Sequence, residues 1–227
     1  SLYYLGETLS KQEEIRKKYA SDISHELRTP IATLKGHLEA IIDNIWEPSD
    51  EHLQILLDEI DRLTNLIDDL KLSYNAGENE FILNKTKFNI SNEINNIVTS
   101  FIPLFTKKGY TIDLDLEENI FVNMDKNKLK QVISNLLSNS IKYLKENGNV
   151  LVSLKSSNNI CIIEIIDNGI GIKKEELPFV FDRFYRSNSL TNVKNNGTGL
   201  GLPIVKSIVE AHNGTININS NYGESTN

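Results

Sequence analysis

The stretch Ser24-His25-Glu26-Leu27-Arg28-Thr29-Pro30 interrupts an otherwise regular helical pattern. Around it, apolar residues recur at Ile15, Tyr19, Ile23, Leu27, Ile31, Leu34, Leu38, Ile41 and Ile45, always three or four apart. That spacing is the signature of one long amphipathic helix. Pro30 costs such a helix roughly 3 kcal/mol and frees the carbonyl four residues back, that of Glu26. A plain coiled coil gains nothing from a kink beside a histidine and an acid, and local rules broken in this way mark function. Neutral imidazole has one basic nitrogen and one N–H. The basic nitrogen can attack a phosphorus, and it is more reactive when the other nitrogen gives its proton to a carboxylate. Glu26, next in sequence, suits that role of general base. With Ile23 and Leu27 on the apolar side, His25 is expected to face solvent. The other histidines, His37, His52 and His212, are read as solvated side chains.

Beyond this helix, Pro48 marks a stop and Ser49 an N-cap, with Asp50 and Glu51 at the positive end of a second helix. Leu53, Leu56, Ile60, Leu63, Ile67, Leu70 and Tyr74 then alternate steps of three and four, a heptad seam. A lone hairpin of this length exposes much apolar surface. Pairing two hairpins into a four-helix bundle removes it, so a homodimer is expected.

The chain divides near Ala76-Gly77-Glu78-Asn79, after which strands and helices alternate. The expected strands are Lys87–Ile90, Tyr110–Leu116, Ile120–Val122, Val150–Lys155, Ile160–Asp167 and Thr215–Asn219. The expected helices are Ser91–Lys108, Lys126–Leu144 and Leu200–His212, with Asn213-Gly214 as a stop. Asn168 to Asn196 is polar and aperiodic, as lids over ligand sites are. Cys161, the single cysteine, excludes an intrachain disulfide and is expected to be a buried thiol in Ile160-Cys161-Ile162-Ile163. A hydrophobic fraction of 39% is enough for a real core, and a net charge of -7 argues against broad nucleic-acid binding. No run approaches the roughly 18 apolar residues of a membrane span.

Four further motifs follow in order. In Asn135-Leu136-Leu137-Ser138-Asn139-Ser140-Ile141-Lys142-Tyr143, Asn135 and Asn139 share a helix face, with Lys142 three residues on. Their amide oxygens are hard ligands of the kind Mg²⁺ accepts, and Lys142 can supply charge to phosphates. Asp167-Asn168-Gly169-Ile170-Gly171 ends an apolar strand, where a carboxylate can accept from an amine and glycines allow close approach of a ligand. Phe181-Asp182-Arg183-Phe184-Tyr185-Arg186 opens the expected lid. Gly197-Thr198-Gly199-Leu200-Gly201-Leu202 opens a helix, whose free N–H groups suit phosphate. Its glycine spacing is not that of a dinucleotide site, and the Walker lysine is missing.

In this order, with Asp125 ahead of them, the motifs resemble those of sensor histidine kinases. Ser24 to Pro30 is similar to the family's H box, Asn135 to Tyr143 to its N box and Phe181 to Arg186 to its F box. The run from Asp22 to Glu47, with Gly36-His37-Leu38-Glu39-Ala40, is similar to the envelope-stress subgroup. The resemblance implies ATP-dependent autophosphorylation of His25, with Glu26 as base, then transfer to an aspartate of a response regulator receiver domain. It implies Thr29 as the residue that positions water when the regulator is dephosphorylated. It implies Mg²⁺ on Asn139 with Asn135 beside it, phosphate on Lys142, and Tyr143 lining the nucleotide pocket. Asp167 would read the exocyclic amine of adenine, between Gly169 and Gly171, and so prefer ATP to GTP. Arg186 would reach the phosphates, as would the loop Thr198, Gly199, Leu200 and Gly201. Regulator contacts would include Lys35 and His37.

The implied fold is an all-α hairpin forming a dimeric four-helix bundle, followed by an α+β sandwich of the GHKL (Bergerat) ATP-binding type. The first domain would cover residues 1–76, with 1–10 the remnant of a signalling linker. The second would cover 77–227, truncated at its C-terminal strand, since the family continues past Tyr222-Gly223-Glu224 with a further strand. The chain would be the cytoplasmic portion of a membrane sensor, whose membrane segments it lacks. The alternatives are a related ATP-driven conformational machine without phosphohistidine, which His25 disfavours, and a nucleotide-binding dimeric scaffold, which the intact glycine motifs disfavour.

Overall fold

The structure, a computed structural model, describes residues 2–75, 83–187, 198–223 and 225–226. It divides into two compact units, Ser1–Leu72 and Ser73–Asn227. The expected break at Ala76-Gly77-Glu78-Asn79 lies outside the described residues.

The first unit is a helical hairpin. Helix α1 (Leu2–Ile42) runs through Pro30, which is buried, and α2 starts at Asp50 and extends to Asn75. Asn44, in the left-handed region at φ 55°, ends α1, as an asparagine can at low cost. Ser49 caps α2: its Oγ accepts from the His52 N–H at 3.3 Å. The expected seam splits. Leu56 and Leu70 are buried, as is Leu66, which lies off the expected heptad line. Ile31, Leu38, Ile45, Leu53, Ile60 and Ile67 remain exposed. One apolar stripe therefore serves the hairpin and a second is left bare.

Two of the supposedly solvated histidines are engaged at the turn. Trp46 meets the edge of His37 (centroids 4.9 Å, 64° between planes) and stacks on His52 (4.8 Å, 11°). His52 Nδ1 donates to the Glu47 carbonyl at 2.8 Å, since a carbonyl can only accept. Sequence spacing alone gave no sign of this, because the chain's single tryptophan sits in the loop.

The second unit packs helices on a sheet. Strand β1 (Lys85–Asn89) pairs antiparallel with β3 (Phe121–Asp125). The main sheet has the order β2-β4-β5-β7-β6, with β2 (Thr111–Leu116), β4 (Asn149–Ser157), β5 (Ile160–Asp167), β6 (Ser220–Asn221) and β7 (Ser225–Thr226). Among the described residues, only the β2–β4 pair is parallel. Helices α3 (Ile90–Lys107), α4 (Lys126–Tyr143) and α5 (Gly201–Ala211) complete the unit. Ile94, Val98 and Phe105 of α3 and Leu129, Ile133, Leu137 and Ile141 of α4 repeat at helical spacing. They bury against Val150, Val152 and Leu154, the inward-facing positions of β4.

Two expectations are corrected. Thr215–Asn219 forms no ladder. Its burial alternates, with Ile216 and Ile218 half-buried, but the place beside β5 is taken by β7, through Asp167 opposite Thr226. Alternation reports an apolar face and does not supply a hydrogen-bonding neighbour. Cys161 is only half-buried. Burial, then the nearby Glu117 charge, pushes its thiol up, which keeps it a poor nucleophile.

Asp125 caps α4. Its carboxylate accepts the N–H of Asn84 (2.9 Å), Asn127 (3.0 Å) and Lys128 (3.1 Å). Burial alone would raise this carboxyl, but those donors and the Lys128 ammonium hold it below its ordinary 3.8. Its own N–H donates to His212 Nε2 at 3.1 Å, while His212 Nδ1 donates to the Ile208 carbonyl at 2.8 Å. His212 thus ties the end of α5 to the start of α4 instead of being solvated. Asp125→Ala is expected to cost about 2 kcal/mol, because it strands three donors. A folded value below the unfolded one stabilises the protein above pH 3.8 and loses that contribution as pH falls through the folded value. Denaturant melts at neutral and acid pH check this: the gap between wild type and mutant should narrow in acid.

Candidate functional site

In the first unit, His25, Glu26 and Thr29 lie on α1. Glu26 is half-buried and Thr29 exposed. Thr29 is one turn beyond His25, so both belong to one face of the helix. The Thr29 carbonyl accepts the Thr33 hydroxyl at 3.1 Å, while its own hydroxyl lies on the exposed surface.

In the second unit, α4 is the spine of the candidate nucleotide site. Its apolar stripe faces the core and leaves Asn135, Asn139, Lys142 and Tyr143 half-buried beside it. Two loops are tied to this helix. The loop after β5 is held where Ile170 N–H donates to the Tyr143 carbonyl at 3.1 Å. Gly169 is required there, since a Cβ would stand 2.7 Å from the same Tyr143 oxygen. Asn168 and Asn149 exchange bonds at the mouth of β4 and β5: Asn149 N–H donates to Asn168 Oδ1 at 2.8 Å, and Asn168 N–H to the Asn149 carbonyl at 3.2 Å. Gly171 passes the Asn221 carbonyl of β6 too closely for any side chain.

Asp167 sits half-buried at the end of β5. Its Oδ1 accepts the Gly169 N–H at 3.0 Å and its Oδ2 accepts the Ser140 hydroxyl of α4 at 3.1 Å. Burial pushes its carboxyl up, and these two donors work against that. The result is a carboxylate with free lone pairs in a half-buried site, suited to an N–H donor.

The second loop is the glycine-rich one. Asn135 Nδ2 donates to the Gly201 carbonyl at 3.5 Å, which places the start of α5 against α4. Leu200 is fully buried, so only its backbone can face a ligand; its N–H donates to Thr198 Oγ1 at 3.3 Å. Gly199 (φ 69°) accepts from the Phe184 N–H at 3.0 Å, and a Cβ on it would stand 2.7 Å from the Phe184 carbonyl carbon. Phe184 itself has φ 61°, a strained value for an aromatic residue that the packed loop holds in place. Arg186 is exposed and near enough to Tyr143 to work against the upward push of burial on that hydroxyl. Of the expected lid, Asn168 to Asn196, residues 188–196 lie outside the described residues, as does Gly197 of the glycine motif.

The structure thus gathers Asn135, Tyr143, Asp167, Gly169, Gly199 and Gly201 around α4, with Asn139 and Lys142 on that helix and Arg186 near Tyr143. It keeps His25, Glu26 and Thr29 in the other unit. Sequence reasoning missed Ser140. The available signal was a hydroxyl within the buried stripe of α4, next to Ile141.

Both regions of the chain are similar to known proteins. Residues 15–76 match the His Kinase A (phospho-acceptor) domain, and residues 124–227 match the histidine kinase-, DNA gyrase B-, and HSP90-like ATPase family. The chain is 34% identical over 212 residues to the signal transduction histidine-protein kinase BaeS of Escherichia coli, covering 93% of this chain and 45% of that protein. It is 33% identical over 221 residues to the sensor histidine kinase WalK of Bacillus subtilis, covering 95% of this chain and 36% of that protein. It therefore spans less than half the length of these relatives. Among solved structures, the Acinetobacter baumannii histidine kinase AdeS superposes with a TM-score of 0.76 at 29% identity, over 89% of this chain and 94% of that one. Histidine kinase ThkA, in its complex with the response regulator protein TrrA, shares the fold at a TM-score of 0.72 and 22% identity, over 91% of this chain and 58% of that one. With an ATP-binding ATPase region following a phosphoacceptor region along one chain, this protein belongs to the sensor histidine kinases of two-component systems.

Proposed function

We propose that this chain transfers the γ-phosphate of ATP to His25 and then to an aspartate of a response regulator. One observation carries the reading. Asp167, Asn135 and the Gly199 loop converge on a single helix, as an adenine-to-phosphate site requires, in a chain that also presents His-Glu-x-x-Thr-Pro on α1. In the transfer, an imidazole nitrogen of His25 forms the new N–P bond, the bond from the γ-phosphorus to the β–γ bridging oxygen breaks, and ADP leaves. Glu26 takes the proton from the other ring nitrogen.

Mg²⁺ fits the donor set. Asn139 offers one amide oxygen, and triphosphate oxygens and water would supply the rest. Among the described residues there is no cluster of three or more acidic, histidine or cysteine side chains, in keeping with a metal that arrives with the nucleotide. Bound there, Mg²⁺ would neutralise charge on the phosphates. Lys142 and Arg186 add positive charge, the backbone of Thr198 to Gly201 receives phosphate oxygens, and Tyr143 lines the pocket.

The bare stripe Ile31, Leu38, Ile45, Leu53, Ile60 and Ile67 fits a second copy of the hairpin. Burying each such side chain contributes ~1.5–3 kcal/mol, which makes the homodimer the natural state. For regulator contacts, Lys35 is exposed and paired with Glu39 at 3.5 Å, whereas His37 is occupied by Trp46 and is the poorer candidate. No helix among the described residues is long and apolar enough to cross a membrane, and a cytoplasmic role in a longer membrane sensor follows from the family reading.

The same helix face supports the reverse activity. The Thr29 hydroxyl is too weak a base to activate imidazole, but it can hold the water that attacks a regulator's aspartyl-phosphate, and positioning alone lowers such a barrier substantially. Thr29→Ala is expected to keep autophosphorylation within about threefold and to lose dephosphorylation by about 10²-fold, while Glu26→Ala loses autophosphorylation by about 10²-fold or more. Phosphate release from purified phospho-regulator, beside ATP labelling of each mutant, reads both. Thr29→Ala that dephosphorylates as wild type would reduce the hydroxyl to a structural role.

A further inference from the structure

Helical serines and threonines usually return their hydroxyl to the carbonyl one turn back. Ser24, Thr33, Thr64, Thr99, Thr106 and Ser207 all do so here, each to residue i−4. Ser140 does not. It is 4% exposed, and its hydroxyl leaves α4 to donate to Asp167 Oδ2 at 3.1 Å. The other oxygen of that carboxylate is held by the Gly169 N–H, two residues along the same loop. A local bond alone leaves the carboxylate free to swing with its loop. A second bond from a different element fixes the carboxylate plane relative to α4, the helix that also carries Asn135 and Asn139. Each carboxylate oxygen accepts two hydrogen bonds, so one lone pair on each remains for a ligand.

We propose that Ser140 is a positioning residue for nucleobase selection: its hydroxyl locks the Asp167 carboxylate in the orientation that accepts the 6-amino group of adenine. The proposal rests on the reading of Asp167 as the adenine acceptor. Holding an acceptor in its bound orientation before the ligand arrives removes an ordering cost from binding. It also sharpens rejection of a 6-oxo purine, which brings an acceptor to an acceptor and leaves the carboxylate unpaired.

The test compares ATP with inosine triphosphate, which differs at the 6-position, in autophosphorylation by the full chain. Wild type is expected to favour ATP. In Ser140→Ala the KM for ATP should rise about tenfold with kcat little changed, while the KM for inosine triphosphate moves less than twofold. Ser140→Cys, which keeps the volume but has a weak donor, should fall between, and it stands in if the alanine variant does not fold. A purely structural role for Ser140 would lower the melting temperature and weaken both nucleotides together, which would overturn the proposal. Asp167→Asn separates the two readings. If that variant loses the ATP preference while Ser140→Ala and Ser140→Cys keep it, the positioning role fails alone. If Asp167→Asn keeps the preference, or wild type shows none, the adenine reading of Asp167 fails, and the proposal with it.

Discussion

His25→Gln is expected to abolish ATP-driven self-phosphorylation while ATP affinity stays within about twofold of wild type. Glutamine keeps the polarity and approximate length of the side chain, but its amide nitrogen has no available lone pair with which to form a bond to phosphorus. Loss of a nucleophile is among the largest single-residue effects in catalysis, so the rate should fall by at least about 10⁴-fold. The nucleotide motifs all lie in the second compact unit and His25 in the first, so the mutation removes no group from the ATP site. Labelling with γ-phosphate and calorimetric titration of ATP, on the same preparation, read the two halves of the prediction. A mutant that still takes label places the phosphoacceptor elsewhere.

Asn139→Ala should be nearly as damaging, for a different reason. Asn139 is half-buried on α4, one turn beyond Asn135, and in the proposed function its amide oxygen is the ligand for Mg²⁺. Alanine leaves the helix intact and removes that ligand. ATP binding in Mg²⁺ is expected to weaken by about 10–100-fold, and autophosphorylation to disappear with it. In the presence of a chelator, wild type and mutant should bind ATP equally, because the difference resides in the metal. Equal affinities in Mg²⁺ would mean that the metal is held by other groups.

Much of this architecture was legible as periodicity. Steps of three and four gave both helices of the hairpin, and Ser49, read as an N-cap, caps α2. The order of the polar motifs identified the residues around α4. What the sequence hid were pairings between distant residues. Ser140 meets Asp167 across 27 positions and Asp125 meets His212 across 87, and no local pattern encodes either. His37 and His52 looked solvated because spacing reports a helix face, and the ring that covers them arrives from a loop. Thr215–Asn219 had a strand's alternation without a strand's partner, since pairing is decided by which segment reaches the sheet edge. Leu66 was passed over because a strict heptad line allows one seam, whereas this helix buries one stripe and leaves another bare.

The chemical nature of the bound phosphate tests the central claim most directly. Wild-type protein is incubated with γ-labelled ATP and Mg²⁺, and the labelled protein is divided between acid and base. A phosphoramidate on His25 is lost in acid and survives base, and the label should map to the peptide containing Ser24-His25-Glu26. A label stable to acid, or ATP turnover with no label on the protein at all, would contradict phosphorylation of His25 and leave the second unit as an ATPase of another kind.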